Sequence, residues 1–137
     1  MEVNYTLVFA ASVAQFILGG LWYSPLMFGK WWMQIMECEG LSKEELQKMQ
    51  KSMMPFYGLQ FFLTLFTTVS FANLLPYISS FGIYHIAFWL WIGFIVPVQV
   101  GSVVWANTKR QFWWKQIFVM VSFQLAAMML MSFVLTM

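Results

Sequence analysis

Side chains able to act as an acid, a base, a nucleophile or a metal ligand are few in this sequence. Its five acidic residues are all glutamates, four of them between positions 37 and 45, and it has one histidine, His85, and one cysteine, Cys38. Acid–base, nucleophilic and metal chemistry need several such groups within reach of each other. His85 lies far from the glutamates along the chain. We therefore expect no catalytic residue, no metal site and no cofactor, and a protein that is not an enzyme.

A stripe of uncharged polar residues is the other pattern with chemical potential. Four residues share one helical face, within about 100° at about 100° per residue: Gln60, Thr64, Thr67 and Thr68. Such a face is not expected to point into hydrocarbon. Its side chains either hydrogen-bond to a neighbouring helix or line a hydrated path. In the second interpretation, Gln15 and Gln99 complete that path.

The composition indicates the elements that position these residues. Hydrophobic residues make up 61% of the 137 residues and charged residues 9%, against about 45–50% and about 25% in soluble proteins. So few charges cannot cover a soluble surface, so most of the chain must face lipid. Four runs reach the roughly 20 apolar residues that cross a bilayer, at residues 3–22, 56–75, 84–106 and 116–136. We predict an all-α integral membrane fold, with four transmembrane helices in a single domain over residues 1–137.

The basic residues predict the orientation of that domain. All seven lie in or beside the connections that follow the first and third spans, the second group being Lys109, Arg110 and Lys115. By the positive-inside rule both connections are cytoplasmic and both termini lie outside. Most tryptophans fall near the span ends, where amphipathic rings favour the headgroup level. A net charge of +2 gives no basic footprint for nucleic acid.

The first connection, residues 23–55, is long and has two parts. Ser42 and Glu45 have the spacing of a capping box, and Leu46, Met49 and Met53 then recur on one helical face. We predict an amphipathic interfacial helix there, resting on the membrane surface. Residues 25–36 are apolar but too short to cross. Two interpretations are open for them, a segment lying flat at the interface and a re-entrant segment.

An unusual run, Gly-Leu-Trp-Tyr-Ser-Pro-Leu-Met-Phe-Gly-Lys-Trp-Trp-Met, covers residues 20–33. Its distinctive members are Gly20, Trp22, Tyr23, Ser24, Pro25, Phe28, Gly29 and Lys30. This run resembles the signature of the uncharacterised bacterial membrane proteins grouped as domain of unknown function 1761. The resemblance implies four spans and an extended first connection over essentially the whole chain, in a bacterial cytoplasmic membrane. It implies no activity, substrate or catalytic residue.

The residues of this run also suggest a structural role. Gly20 is expected to let the first helix approach a neighbour, and Trp22 and Tyr23 to anchor its end. The Ser-Pro pair at 24–25 would stop the helix, and the Phe-Gly pair at 28–29 would turn the chain back. A ligand-binding or gating role for the run is the alternative.

Spans without charges associate through small residues and side-chain hydrogen bonds. In the third span Gly93, Pro97 and Gly101 recur at intervals of four, which predicts a close-packing groove with a kink at Pro97. We expect a homo-oligomer with the lipid bilayer as its surroundings. Our leading hypothesis is a non-enzymatic membrane protein that acts through helix–helix or lipid association, as an accessory or membrane-organising component. The alternative is an oligomeric channel or carrier for a small uncharged or anionic solute.

Overall fold

A computed structural model describes residues 3–38, 40–78, 81–106 and 109–137. These ranges consist of helices and the turns between them and contain no strand. In chain order the elements are α1 (Tyr5–Trp22), α2 (Gly29–Ile35), α3 (Lys43–Ile78), α4 (Ile83–Leu90), a π-helical turn (Trp91–Ile95), α5 (Val96–Trp105), a 3-10 turn (Arg110–Phe112) and α6 (Trp113–Leu135). Four stretches are long and apolar enough to cross a membrane: α1, α3, the helix from α4 through α5, and the helix that ends with α6. The all-helical prediction with four such stretches is confirmed.

Side-chain caps fix the starts of α1 and α3. The Asn4 side chain accepts hydrogen bonds from the backbone N–H groups of Thr6 and Leu7, at 3.1 and 3.2 Å. At α3 the Glu45 N–H donates to Ser42 Oγ at 3.2 Å, and the Ser42 N–H donates to the Glu45 carboxylate at 3.3 Å. This reciprocal pair is the predicted capping box, which is therefore confirmed.

Helix α3 differs from the expected boundary between a surface helix and a second span. It runs unbroken for 36 residues with Pro55 inside it, so no separate helix ends before residue 56. At 1.5 Å per residue it is about 54 Å long, well beyond the roughly 30 Å of a hydrocarbon core. Pro55 removes one backbone hydrogen bond. Ending the helix there would instead leave several backbone groups unpaired at both new termini.

The third apolar stretch contains an irregular turn where the sequence predicted a kink. The π-helical turn covers Trp91–Ile95 and Pro97 follows it. Because the proline ring crowds the carbonyl four residues earlier, at Gly93, a wider turn accommodates it. A Cβ at Gly93 or Gly101 would meet no described atom within 4 Å. The predicted groove is thus not used in the described part of the chain, since α5 buries Val103 instead.

Helix α6 is the centre of the fold. Helices α1, α2, α4 and α5 pack against it, and α3 packs against α1. The main core cluster draws residues from α1, α3, α4 and α6: Ala11, Phe71, Ile86, Ala87, Met128, Met131 and Val134. Because Phe71 lies near the end of α3 and Ile86 near the start of α4, this core occupies the end of the molecule where α3 ends and α4 begins.

The packing leaves a large surface uncovered for a chain of this size. The accessible surface is 9298 Å², whereas a compact soluble protein of 16.1 kDa has about 7,400 Å². Large apolar side chains contribute to it along α3, where Phe62 and Phe66 are exposed. A contiguous apolar surface of this kind suits hydrocarbon better than water.

Candidate functional site

The turn after α1 is organised by Ser24. Its hydroxyl donates to the Leu21 carbonyl at 2.6 Å and accepts from the Leu26 N–H at 3.3 Å. Its carbonyl accepts from the N–H groups of Met27 and Gly29, at 3.0 and 2.8 Å. Ser24 therefore stops α1 and closes the chain back on itself, as the Ser-Pro pair predicted.

Gly29 lies at the tightest point of this turn. A Cβ built on it would lie 2.5 Å from the carbonyl carbon of Ser24, 2.6 Å from the Ser24 oxygen and 2.9 Å from the Tyr23 oxygen. These are backbone atoms, which cannot rotate aside as a side chain can. The turn predicted at 28–29 therefore needs glycine at this position for steric reasons.

The expected role of Gly20 is not met within the described chain. A Cβ there would meet no described atom within 4 Å, so this glycine permits no close approach by another helix of that chain. The preceding residue does so: a Cβ on Gly19 would lie 3.2 Å from the Phe123 ring of α6. Consecutive helical residues point about 100° apart, and it is Gly19 that faces α6.

Trp22 hydrogen-bonds to the backbone of α6. Its indole Nε1 donates to the Val119 carbonyl at 3.1 Å, and its ring lies 5.2 Å from the Phe28 ring. Tyr23, the next residue, packs its ring 4.8 Å from Trp32 of α2. Burial raises the pKa of Tyr23 from its usual value near 10 to about 12. The two rings anchor the end of α1 to protein as well as to the predicted interface.

The two charged connections meet at one end of the molecule, hereafter the charged end (described residues 30–51 and 109–115). Lys109 Nζ forms an exposed ion pair with Glu37 at 2.7 Å. Lys115 Nζ donates to Gln34 Oε1 at 3.2 Å and lies 5.4 Å from the Trp31 ring centre. These contacts join the start of α6 to α2 and its C-terminal end.

The residues of the polar stripe separate into two groups. Gln15 Nε2 donates to Thr68 Oγ1 at 2.9 Å and to the Ala11 carbonyl at 3.1 Å, and both Gln15 and Thr68 are buried. This is an interhelical bond between α1 and α3, as the first interpretation expected. Gln60 and Thr64 precede Thr68 in α3, and Gln60 Nε2 donates to Thr64 Oγ1 at 3.3 Å.

The other members of the proposed path do not join Gln15. Gln60 and Thr67 are exposed on α3 and Thr64 is half-buried. The hydroxyls of Thr64 and Thr67 donate to carbonyls one turn earlier in the same helix. On α5 the side-chain oxygen of Gln99 is buried, and no described residue donates a hydrogen bond to it.

The sequence did not predict three contacts that His85, Trp89 and Trp91 make. Trp89 Nε1 donates to His85 Nε2 at 3.1 Å, and the imidazole stacks on Phe81 with 5.8 Å between ring centres. Trp91 Nε1 donates to the Val121 carbonyl of α6 at 2.8 Å. An indole N–H in apolar surroundings needs an acceptor. The i, i+4 spacing of His85 and Trp89 was the available signal.

Titratable groups do not gather elsewhere in the described ranges. Among those residues no three His, Cys, Asp or Glu side chains stand close enough to hold a metal ion. The Cys38 thiol is buried, 3.9 Å from the Met49 sulfur and 3.5 Å from the Met36 carbonyl.

Comparison with known proteins identifies a family. The family model described as "Protein of unknown function (DUF1761)" matches residues 6–136, nearly the whole chain. No curated protein and no solved structure gives a significant match. The resemblance carried by the run at residues 20–33 is confirmed, and the chain belongs to the DUF1761 family.

Proposed function

We propose that this protein is a non-enzymatic integral membrane protein that acts by associating with helices and lipid, in copies of itself, as an accessory or membrane-organising component. The observation that carries the proposal is the exposed polar face of α3. Gln60 lies on that face within an apolar stretch, and Thr67 lies two turns further along. Neither faces the packed core of the single chain.

The amide of Gln60 has the largest hydrogen-bonding capacity of the side chains on this face. Its hydrogen bond to Thr64 uses one of the amide's two N–H groups. The other N–H and the carbonyl oxygen are available to a group from outside the chain. In lipid such side chains hydrogen-bond across helices, worth about 0.6 kcal/mol on average and about 1–2 kcal/mol in model peptides. A second copy presents the same face, as an isologous dimer requires.

A second open face supports the same proposal. A methyl group added at Gly93 or at Gly101 would meet no described atom within 4 Å. Small residues on one side of an apolar helix let another helix approach closely. The chain thus presents two faces suited to helix association, one on α3 and one on the α4–α5 stretch.

We infer the orientation of the chain in the membrane from the positions of its Lys and Arg residues and from the length of α3. We place the charged end in the cytoplasm of a bacterial cell and both termini outside, since this end holds all seven Lys and Arg residues. Because α3 is longer than the hydrocarbon core, its start at Lys43 extends into the cytoplasmic interface. We infer that this start takes the interfacial position, as part of the long helix α3 and not as the separate surface helix expected from the sequence.

The test measures self-association in vesicles at several protein-to-lipid ratios, by energy transfer between labelled copies. We expect Gln60→Leu to weaken association about threefold, the equivalent of about 0.6 kcal/mol. The control is Gln50→Leu, an exposed residue of the same helix outside the apolar stretch. A wild-type chain that stays monomeric at every ratio, or a Gln60→Leu chain that associates as well as the control, contradicts the proposal.

A second candidate function uses the same exposed polar face. Copies arranged around Gln60, Thr64 and Thr67 would enclose a route for a small uncharged or anionic solute, as a channel or carrier. Thr64→Cys and Thr67→Cys, each in a Cys38→Ala background, test for water with a membrane-impermeant thiol reagent. Labelling as fast as at a loop position supports the route. Absence of labelling excludes it and leaves the association proposal standing.

A further inference from the structure

One cation of the charged end, Lys115, is less exposed than the other Lys and Arg side chains there. Lys115 is half-buried, with its ammonium 5.4 Å from the ring centre of Trp31 and 6.0 Å from that of Trp114. The two rings lie 5.7 Å apart. Its hydrogen-bond partner is the neutral Gln34 side chain. A partly desolvated ammonium held by rings and an amide still lacks an anion.

Neighbouring groups do not supply that anion. Glu37 is engaged by Lys109 at 2.7 Å, and no carboxylate of a described residue lies within 4 Å of Lys115. Arg110 adds a second cation near the start of α6, with its guanidinium 5.6 Å from the Trp113 ring centre. The start of α6 therefore has a positive excess beside the indole rings of Trp31 and Trp114.

An exposed apolar strip leads away from this cation along α6. Trp114 and Phe118, one turn apart, are both exposed. The Phe118 ring also lies 6.3 Å from Trp31, so the strip continues the aromatic pair toward the apolar part of the helix. A cation at the headgroup level followed by an apolar strip matches a phospholipid, whose phosphate and acyl chains have this order.

We propose that Lys115, held against the rings of Trp31 and Trp114, binds the phosphate of an anionic phospholipid, with an acyl chain lying along Phe118. The inference rests on the proposed placement of the charged end at the membrane surface. The apolar strip favours a lipid over free phosphate, which would gain nothing from Phe118. The neutral amide of Gln34 accepts a hydrogen bond from the ammonium beside the two rings and leaves its charge for the ligand.

The test compares retention of phosphatidylglycerol and phosphatidylcholine by the full chain in nanodiscs, by mass spectrometry of the released complex. We expect Lys115→Gln to lower the preference for phosphatidylglycerol about fivefold, as for one interfacial cation. Lys115→Arg should keep it. Lys48→Gln removes an equal charge from an exposed position on α3 and should also leave the preference unchanged. An equal loss in Lys48→Gln and Lys115→Gln overturns the site, because it would show only a general surface charge effect.

Two further measurements separate the alternatives. Inorganic phosphate at millimolar concentration should not displace the lipid, and displacement by it would overturn the lipid assignment in favour of a soluble anion. Energy transfer in the same nanodiscs should be unchanged by Lys115→Gln, and this readout reports on the proposed self-association independently. Wild-type thermal stability of Lys115→Gln in phosphatidylcholine confirms that the variant is folded. If Lys115→Gln is unfolded, the preference for phosphatidylglycerol is compared among Lys115→Arg, Lys48→Gln and wild type. A preference lost in Lys115→Arg alone contradicts phosphate binding by a cation at this site.

Discussion

Replacing Gly29 by alanine tests the turn after α1 most sharply. The added Cβ would lie 2.5 and 2.6 Å from the carbonyl carbon and oxygen of Ser24. Since apolar contacts are optimal near 3.5 Å or beyond, the backbone would have to open by about 1 Å. Opening it breaks the 2.8 Å hydrogen bond from the Gly29 N–H to the Ser24 carbonyl. It also shifts α2, which carries Trp31 and Trp32.

The magnitude follows from two contributions. Overpacking of this kind costs about 1–3 kcal/mol, and loss of the backbone hydrogen bond adds about 1 kcal/mol. We therefore expect Gly29→Ala to lower the free energy of unfolding by about 2–4 kcal/mol. Its matched control is Gly20→Ala. That position lies in α1 with open space around it, so alanine should be neutral or stabilise by about 0.5–1 kcal/mol.

The assay is reversible unfolding of both variants in mixed detergent micelles, followed by helicity and by the fluorescence of the tryptophans near the turn. The expected order of stability is Gly20→Ala at or above wild type, and Gly29→Ala clearly below it. A Gly29→Ala chain within about 0.5 kcal/mol of wild type would refute the steric reasoning. Equal destabilisation by both alanines would refute it too, because it would point to a general intolerance of this region.

Three further experiments probe the helix contacts. A double-mutant cycle of Gln15→Leu and Thr68→Val should give a coupling energy of about 0.6 kcal/mol, and a value of zero would remove their hydrogen bond from the account. Trp22→Phe should cost about 1 kcal/mol through its lost bond to α6, whereas Trp105→Phe, 86% exposed, should change unfolding little. Gln99→Met should raise the melting temperature, because it removes a buried oxygen without a described donor; a lowered value would show that this oxygen has a partner.

Features that depend on neighbouring residues, or on hydropathy summed along one stretch of chain, were predictable from the sequence. Four apolar stretches follow from hydropathy summed over about 20 residues, and the cap at Ser42 and Glu45 follows from a spacing of three. Neither depends on which helices are neighbours. The stop at Ser24 and the turn at Gly29 were predictable for the same reason, since their contacts lie within one turn of chain.

Contacts between helices were harder to predict, because they depend on which face meets which neighbour. Gly19 and Gly20 are adjacent glycines, and the position of Phe123 on α6 shows that Gly19 makes the close approach. The groove predicted at Gly93 and Gly101 meets no helix of the described chain, and α5 buries Val103 instead. Within the polar stripe, Thr68 faces α1 while Gln60 does not. Each distinction is a rotation about a helix axis, which composition does not encode.

Single-cysteine labelling in intact bacteria expressing the protein tests the central claim, a membrane-spanning chain whose charged end is cytoplasmic. In a Cys38→Ala background, Met137→Cys reports on the outer end and Gln111→Cys on the charged end; both positions are exposed. A membrane-impermeant maleimide should label Met137→Cys in intact cells, and Gln111→Cys only after permeabilisation. Labelling of Gln111→Cys in intact cells while Met137→Cys stays protected would contradict the account.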